Sequence, residues 1–184
     1  MQWNRSITIG IANGSCAFCQ GVGMIVDRNE EEAPCDCVLR AAFRACYQAF
    51  VECVALAERT AAVSWEPCHG PKGGRMFSRK REEYVADFLN VAERHLRGTE
   101  YRIFRYYFVL GADSTICGQK LGMDRGTFFH HVYRVERKLG RVFSELQPYP
   151  LYPLRDYFGG VAHKEIAPQR LVEAAGRRRE PLIA

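Results

Sequence analysis

Residues 114–140 of the chain read STICGQKLGMDRGTFFHHVYRVERKLG. Ser114 can cap a short helix that runs to Leu121, and Gly122 breaks it, because only glycine adopts a left-handed turn conformation at little cost. Asp124 can cap a longer helix whose inward face carries apolar residues at spacings of three and four, namely Phe128, Val132, Val135 and Leu139. The stretch predicts two helices joined by a tight turn, which is the plan of a helix-turn-helix.

The outward face of the longer predicted helix is basic, and Glu136 is the one acid between residues 125 and 141. A helix that docks in the major groove of DNA reads base edges with its first turns, while later turns approach the phosphates. We therefore predict base contacts from Arg125, Thr127, Phe129 and His130, and phosphate contacts from Arg134, Arg137, Lys138 and Arg141. The alternative is a helical bundle whose basic residues only face solvent.

Further helices are predicted upstream of this stretch. Apolar residues recur at spacings of three and four from Val38 to about residue 66, with alanines between them, and this pattern indicates an amphipathic helix. The same periodicity predicts a helix that stops at Gly98 and another that Thr99 can cap. The fold class is therefore expected to be mainly α, a helix-turn-helix bundle with a small N-terminal module.

Turn formers and prolines divide the chain into predicted segments. The β-branched runs at residues 6–9 and 24–26 indicate short strands near the N-terminus, and a Gly/Pro-rich basic stretch in the middle indicates a linker. We predict a cysteine-rich zinc module at 1–37, an amphipathic helix at 38–66, a linker at 67–81, the helix-turn-helix domain at 82–147 and an irregular basic tail at 148–184.

Four of the eight cysteines form two close pairs, Cys16 with Cys19 and Cys35 with Cys37, separated by a 15-residue loop. This spacing lies within that of structural zinc sites, where four thiolates surround one tetrahedral ion. Residues 1–37 hold too little apolar material for a core, so that a metal ion would take its place. We predict that these four cysteines bind one structural zinc ion in an N-terminal module that resembles a zinc ribbon.

Two alternatives for these thiols stay open, namely buried thiols without metal and a redox pair. The turn formers around Cys16 do not favour the helix start that a redox pair requires. Cys46, Cys53 and Cys117 are expected in the core. Cys68 and His69, in the predicted linker, are an additional candidate ligand pair.

From about Glu82 to Arg141 the chain resembles region four of bacterial sigma factors. The resemblance is carried by residues 106–111 (YYFVLG), by the turn-containing stretch 114–123 and by the basic helix end 135–139 (VERKL). It implies that the last helix enters the major groove, with Arg125, Thr127, Phe129 and His130 at the bases. No core-binding region two precedes it, so a complete sigma factor is not expected.

The cysteine string CxxCxGxG at residues 16–23 resembles one repeat of the zinc-binding domain of J-domain chaperones. The combination of a cysteine cluster with a sigma-like helix-turn-helix resembles phage late-gene antiterminators of the Q type. This resemblance implies a transcription regulator that binds double-stranded DNA and acts with bacterial RNA polymerase as an antiterminator or activator. The alternative function is a zinc-dependent protein-interaction or chaperone-type module that does not bind DNA.

Composition and charge limit the classes of function that we expect for this protein. Residues 1–70 carry 5 Lys and Arg against 8 Asp and Glu, whereas residues 71–184 carry 21 against 13, so a polyanion is expected at the C-terminal part. No apolar stretch is long enough to span a membrane, and no export signal begins the sequence, which indicates a cytoplasmic protein. We find no phosphate loop, nucleophile elbow or HExxH pair and expect no enzyme.

Overall fold

The computed structural model describes residues 3–26, 30–63 and 72–159, and it is mainly helical. A single two-stranded sheet accompanies the helices of this part of the chain. The elements in chain order are α1 (Arg5–Ile9), β1 (Met24–Val26), β2 (Glu32–Pro34), α2 (Asp36–Val63), α3 (Lys72–His95), α4 (Gly98–Ile103), a π-helical turn (Phe104–Val109), α5 (Ser114–Leu121), α6 (Arg125–Glu145) and α7 (Leu154–Tyr157). The mainly α fold class is confirmed.

The N-terminal part differs from the prediction in one element. Residues 5–9 form helix α1 rather than a strand, because the side chain of Asn4 accepts a hydrogen bond from the amide of Ile7 and caps the helix. The strand at residues 24–26 is present as β1 and pairs antiparallel with β2. The Arg5 guanidinium pairs with the Glu32 carboxylate, so α1 is tied to this hairpin.

Helices α2 and α6 form the central pair of the bundle and approach each other closely at Gly140. A Cβ atom at this position would lie 2.7 Å from the carbonyl carbon of Leu39 and closer still to its oxygen. Leu39 and Leu139 are fully buried beside this crossing. Glycine is therefore required in α6 at the point where the backbones meet.

The core beside this helix pair is rich in aromatic rings. Phe43 of α2 contacts Phe143 of α6 and Phe108 of the π-helical turn, with ring centroids 6.1 and 5.0 Å apart. Phe88 of α3 stacks on Phe50 of α2 at 4.5 Å. The segments predicted as a separate amphipathic helix and a helix-turn-helix domain therefore share one core.

The predicted linker and tail differ from what the structure shows. Residues 72–81 of the linker belong to helix α3, while residues 67–71, with Cys68 and His69, lie outside the described residues. The first part of the predicted tail packs on the core, because Leu151, Leu154 and Phe158 are buried. The rest of the tail, residues 160–184, lies outside the described part. None of the described helices combines the length and apolarity needed to cross a bilayer.

Candidate metal centre and candidate nucleic-acid interface

The cysteine pairs are brought together by a turn and by the start of α2. Gly23 has a φ of +80°, and a Cβ there would clash with Thr8 of α1, so glycine is needed for the chain to turn after the first pair. The amide of Cys35 donates to the carbonyl of Gly23 at 2.9 Å. Cys35 directly precedes α2 and Cys37 lies in its first turn.

The four predicted ligands Cys16, Cys19, Cys35 and Cys37 meet in one cluster, with all four sulfur atoms within 4.8 Å of one another. The Sγ atoms of Cys16 and Cys35 are 3.8 Å apart, and those of Cys19 and Cys37 are 3.5 Å apart. A tetrahedral ion with metal–sulfur bonds of about 2.3 Å separates its sulfurs by about 3.8 Å. These four cysteines are therefore positioned to bind a metal ion, whereas the distances are too long for disulfides.

The environments of the thiols differ across the cluster. Amides of Cys19 and Phe18 donate to Cys16 and lower the pKa of its thiol to about 7. Burial raises the pKa values of the Cys35 and Cys37 thiols above the ordinary value. Because a cation favours the thiolate, metal binding would displace protons from this buried side of the cluster.

The other described cysteines lie apart from this cluster. Cys46, Cys53 and Cys117 are buried among apolar side chains of the main core. Burial raises the pKa of Cys46 to about 12 and that of Cys53 to about 11, so both stay protonated near neutral pH. These three cysteines pack in the main core, as predicted from the sequence.

Helices α5 and α6 are joined by a short turn, and both are capped by aspartates. The cap of α5 is Asp113, whose carboxylate accepts from the amide of Thr115 at 2.6 Å, rather than the expected Ser114. Gly122 ends α5 with a φ of +66°, as predicted. Asp124 caps α6 by accepting from the amide of Thr127 at 3.0 Å.

The four predicted base-contacting residues lie on the first two turns of α6. Arg125, Thr127 and His130 are exposed, and Phe129 is half-buried. The Thr127 hydroxyl donates to Asp124 at 2.5 Å, so it keeps only its acceptor positions for another partner. The Arg125 guanidinium lies 5.8 Å from the Phe129 ring, which holds it at the start of the helix.

The four predicted phosphate-contacting residues are all exposed, but two of them already have acidic partners. Arg137 donates to the Asp36 carboxylate at 2.9 Å, and Lys138 donates to Glu100 at 2.9 Å. Arg134 lies 3.5 Å from the His130 ring nitrogen. Within the described residues, no ion pair involves Arg141. Of these four cations, Arg137 and Lys138 therefore have acidic partners, whereas among the described residues Arg134 and Arg141 form no ion pair.

Glu136 is a structural residue that the sequence pattern placed on the outer face. It is 6% exposed, and its carboxylate accepts from Arg40 at 2.8 Å and from Arg44 at 3.1 Å. Arg40 also stacks over the Tyr133 ring at 4.0 Å. The partners lie 96 and 92 residues away, so no local signal in the sequence points to this network. The acid that interrupts the basic face is therefore covered by two arginines.

Comparisons with known proteins give no relative for this chain. No family model, no curated protein and no solved structure matches it.

Proposed function

We propose that this protein is a DNA-binding transcription regulator that uses α5, the turn and α6 as a sigma-like helix-turn-helix, and that its cysteine cluster holds one structural zinc ion. The helix-turn-helix would place the first turns of α6 in the major groove. The zinc-ribbon-like module would hold the start of α2, where Asp36 contacts Arg137 of α6. The basis is the chemistry of the described side chains together with the resemblance of residues 82–141 to sigma region four.

One observation carries the DNA-binding proposal, namely that the exposed charged side chains of α6 between residues 125 and 141 are all positive. Between residues 125 and 141 the helix carries Arg125, Arg134, Arg137, Lys138 and Arg141, and all of these are exposed. The only acid in that range, Glu136, is buried beneath Arg40 and Arg44. At helical spacing Arg134, Arg137, Lys138 and Arg141 share one face of α6, which has no exposed acid of its own within this range, and such a face fits a polyanion such as duplex DNA.

Zinc is proposed because of the donor set. Four thiolates at tetrahedral spacing are typical of structural zinc sites, and closed four-cysteine sites leave no position for a substrate. The small core around the cluster has three buried residues, Cys19, Cys35 and Val38, two of which belong to the thiol cluster, and a few partly buried side chains around them. Such a core is too small to hold the module together without an ion.

A protein-interaction role is the second candidate, and a different observation favours it. The cysteine module exposes large apolar side chains, with Phe18 83%, Val26 68% and Ile9 58% accessible to solvent. Contact surfaces are typically built from contiguous exposed apolar side chains, and the module has these three to contribute. Bacterial RNA polymerase is the partner that the resemblance implies, and we include it in the proposal of an antiterminator or activator.

Selection from a randomised duplex library tests the proposed function. The zinc-loaded protein should enrich a preferred sequence, and Arg125→Ala should relax the preference at one base position, because a bidentate contact from the first turn is lost. The matched variant Arg141→Ala should keep the preferred sequence and lower the affinity for all duplexes alike. Failure to enrich any sequence, or equal effects of the two variants on preference, would contradict α6 as the reader and favour the interaction module.

A further inference from the structure

The contact between Asp36 and Arg137 joins the metal centre to the helix that we propose reads DNA. Asp36 lies between two ligand cysteines and begins helix α2. Its carboxylate accepts a hydrogen bond from the Arg137 guanidinium at 2.9 Å. The residues on either side of Asp36 are both held in the thiol cluster, so the carboxylate is presented to α6 from a constrained position.

The interface around this contact keeps the two helices in register. Gly140 of α6 packs against the backbone of Leu39, one turn after Asp36. Arg40 and Arg44, on the next turns of α2, hold Glu136 beside Arg137. These contacts fix the start of α2 against the middle of α6 and so keep the Asp36 carboxylate beside Arg137.

Pairing changes what Arg137 can offer to a phosphate. Its side chain is 48% exposed and that of Asp36 is 52% exposed, so DNA could reach the pair. A phosphate at that place would have to replace the carboxylate as partner, and it would meet the negative charge of Asp36 nearby. The affinity of a basic surface for any duplex depends on the number of cations that neutralise phosphates. An arginine that is already paired with a carboxylate therefore adds little to this affinity.

We propose that Asp36 is a specificity-determining residue that withholds Arg137 from the DNA backbone and so suppresses binding to non-cognate duplexes. This inference rests on the proposed function of α6. Asp36 acts through Arg137 and touches no base. The proposed base contacts of Arg125 and its neighbours at the start of the helix are unaffected by this pairing. Only the sequence-independent part of the affinity, to which Arg137 would contribute, is reduced.

A double-mutant cycle on the zinc-loaded protein tests the inference, with the salt dependence of binding to a random duplex as the readout. In the native background, Arg137→Gln should change the slope of log affinity against log salt by less than half of one contact. In the Asp36→Asn background, the same substitution should lower the slope by about 0.9, the value of one phosphate contact. The variant Asp36→Asn alone should raise the affinity for random duplex several-fold at low salt.

Arg141→Gln is the matched control, because Arg141 lies one turn further along α6. It should lower the slope equally in both backgrounds. Bound zinc is measured for every variant, and Asp36→Ser replaces Asp36→Asn if the latter loses the ion. Equal effects of Arg137→Gln in both backgrounds would overturn the inference while leaving the proposed function intact.

The two proposals fail in different ways. If the native protein binds no duplex at low salt, the proposed function fails. The specificity role of Asp36 then fails with it, and the salt concentration that elutes each variant from immobilised heparin tests separately whether Asp36 sequesters Arg137, because heparin probes the same cations without requiring DNA recognition. Non-additive effects of Asp36→Asn and Arg137→Gln on heparin would support the sequestered arginine, and additive effects would overturn it.

Discussion

Replacing Gly140 by alanine should destabilise the whole bundle. The new Cβ would lie 2.7 Å from the carbonyl carbon of Leu39, a distance that real Cβ contacts essentially never show. The atoms with which the new Cβ would clash belong to the backbone of α2, which cannot rotate away as a flexible side chain can. Helices α2 and α6 must therefore separate, and the contacts that Leu39 and Leu139 make beside the crossing must loosen.

The size of the effect follows from two opposing terms. Overpacking of a well-packed core costs about 1–3 kcal/mol, and a clash with backbone belongs at the upper end. Alanine in place of glycine within a helix gains up to about 1 kcal/mol. We expect a net loss of about 2 kcal/mol, which for a chain of this length lowers Tm by roughly 4–8 °C.

The assay is thermal unfolding of zinc-loaded protein, with Gly126→Ala as the matched control. Gly126 lies in the same helix, and its nearest neighbour would be the Asp124 side-chain oxygen at 3.1 Å, a contact that a small side-chain shift relieves without moving another helix. This control should leave Tm unchanged or raise it slightly. An equal or higher Tm for Gly140→Ala would show that the close approach of α2 and α6 is wrong.

Three further predictions concern the metal, a helix cap and the salt dependence. The variant Cys19→Ser should lower the bound zinc measured by elemental analysis, because it removes a buried ligand, whereas Cys53→Ser should leave it unchanged; equal zinc in both would contradict the cluster. Hydrogen bonds from the hydroxyl and amide of Thr127 hold the pKa of the Asp124 carboxyl below its ordinary value. The stability from this cap is therefore present above about pH 4 and lost as the pH falls through the lower folded pKa. Asp124→Ala should lower Tm at pH 7, and this difference should shrink as the pH falls below about 4. A difference that stays constant over this range would argue against the charged cap. In duplex binding, Arg141→Ala should reduce the salt slope by about one contact, and Lys138→Ala by less, because Glu100 already pairs with Lys138. Equal reductions would show that this ion pair does not hold in solution.

Features that depend on neighbouring residues could be predicted from the sequence. The turn at Gly122 and the cap at Asp124 depend on a left-handed glycine and on a carboxylate three residues before an amide. The cysteine cluster could be found from spacing alone, because two close pairs across one loop can surround an ion. In each case the signal lies within a few residues or in the chemistry of one residue type.

Features that depend on contacts across the chain could not be predicted in this way. The β-branched residues Ile7, Thr8 and Ile9 favour a strand, but the Asn4 cap and the packing of Thr8 against Gly23 stabilise a helix there. Glu136 looked like a surface residue because its arginine partners lie on a distant helix. The glycines near the start of α3 indicated a linker, although the structure is helical from Lys72. Tertiary contacts override local preference at such positions.

We propose that the exposed cations of α6 bind duplex DNA and that the cysteine cluster holds zinc. Binding of the zinc-loaded protein to a random duplex, measured at several salt concentrations on a sample whose zinc content is known, tests it most directly. We predict one zinc ion per chain and a log affinity that falls linearly with log salt, with a slope of several phosphate contacts at about 0.9 each. Absence of binding at low salt in a sample with one zinc ion per chain would contradict the account of α6.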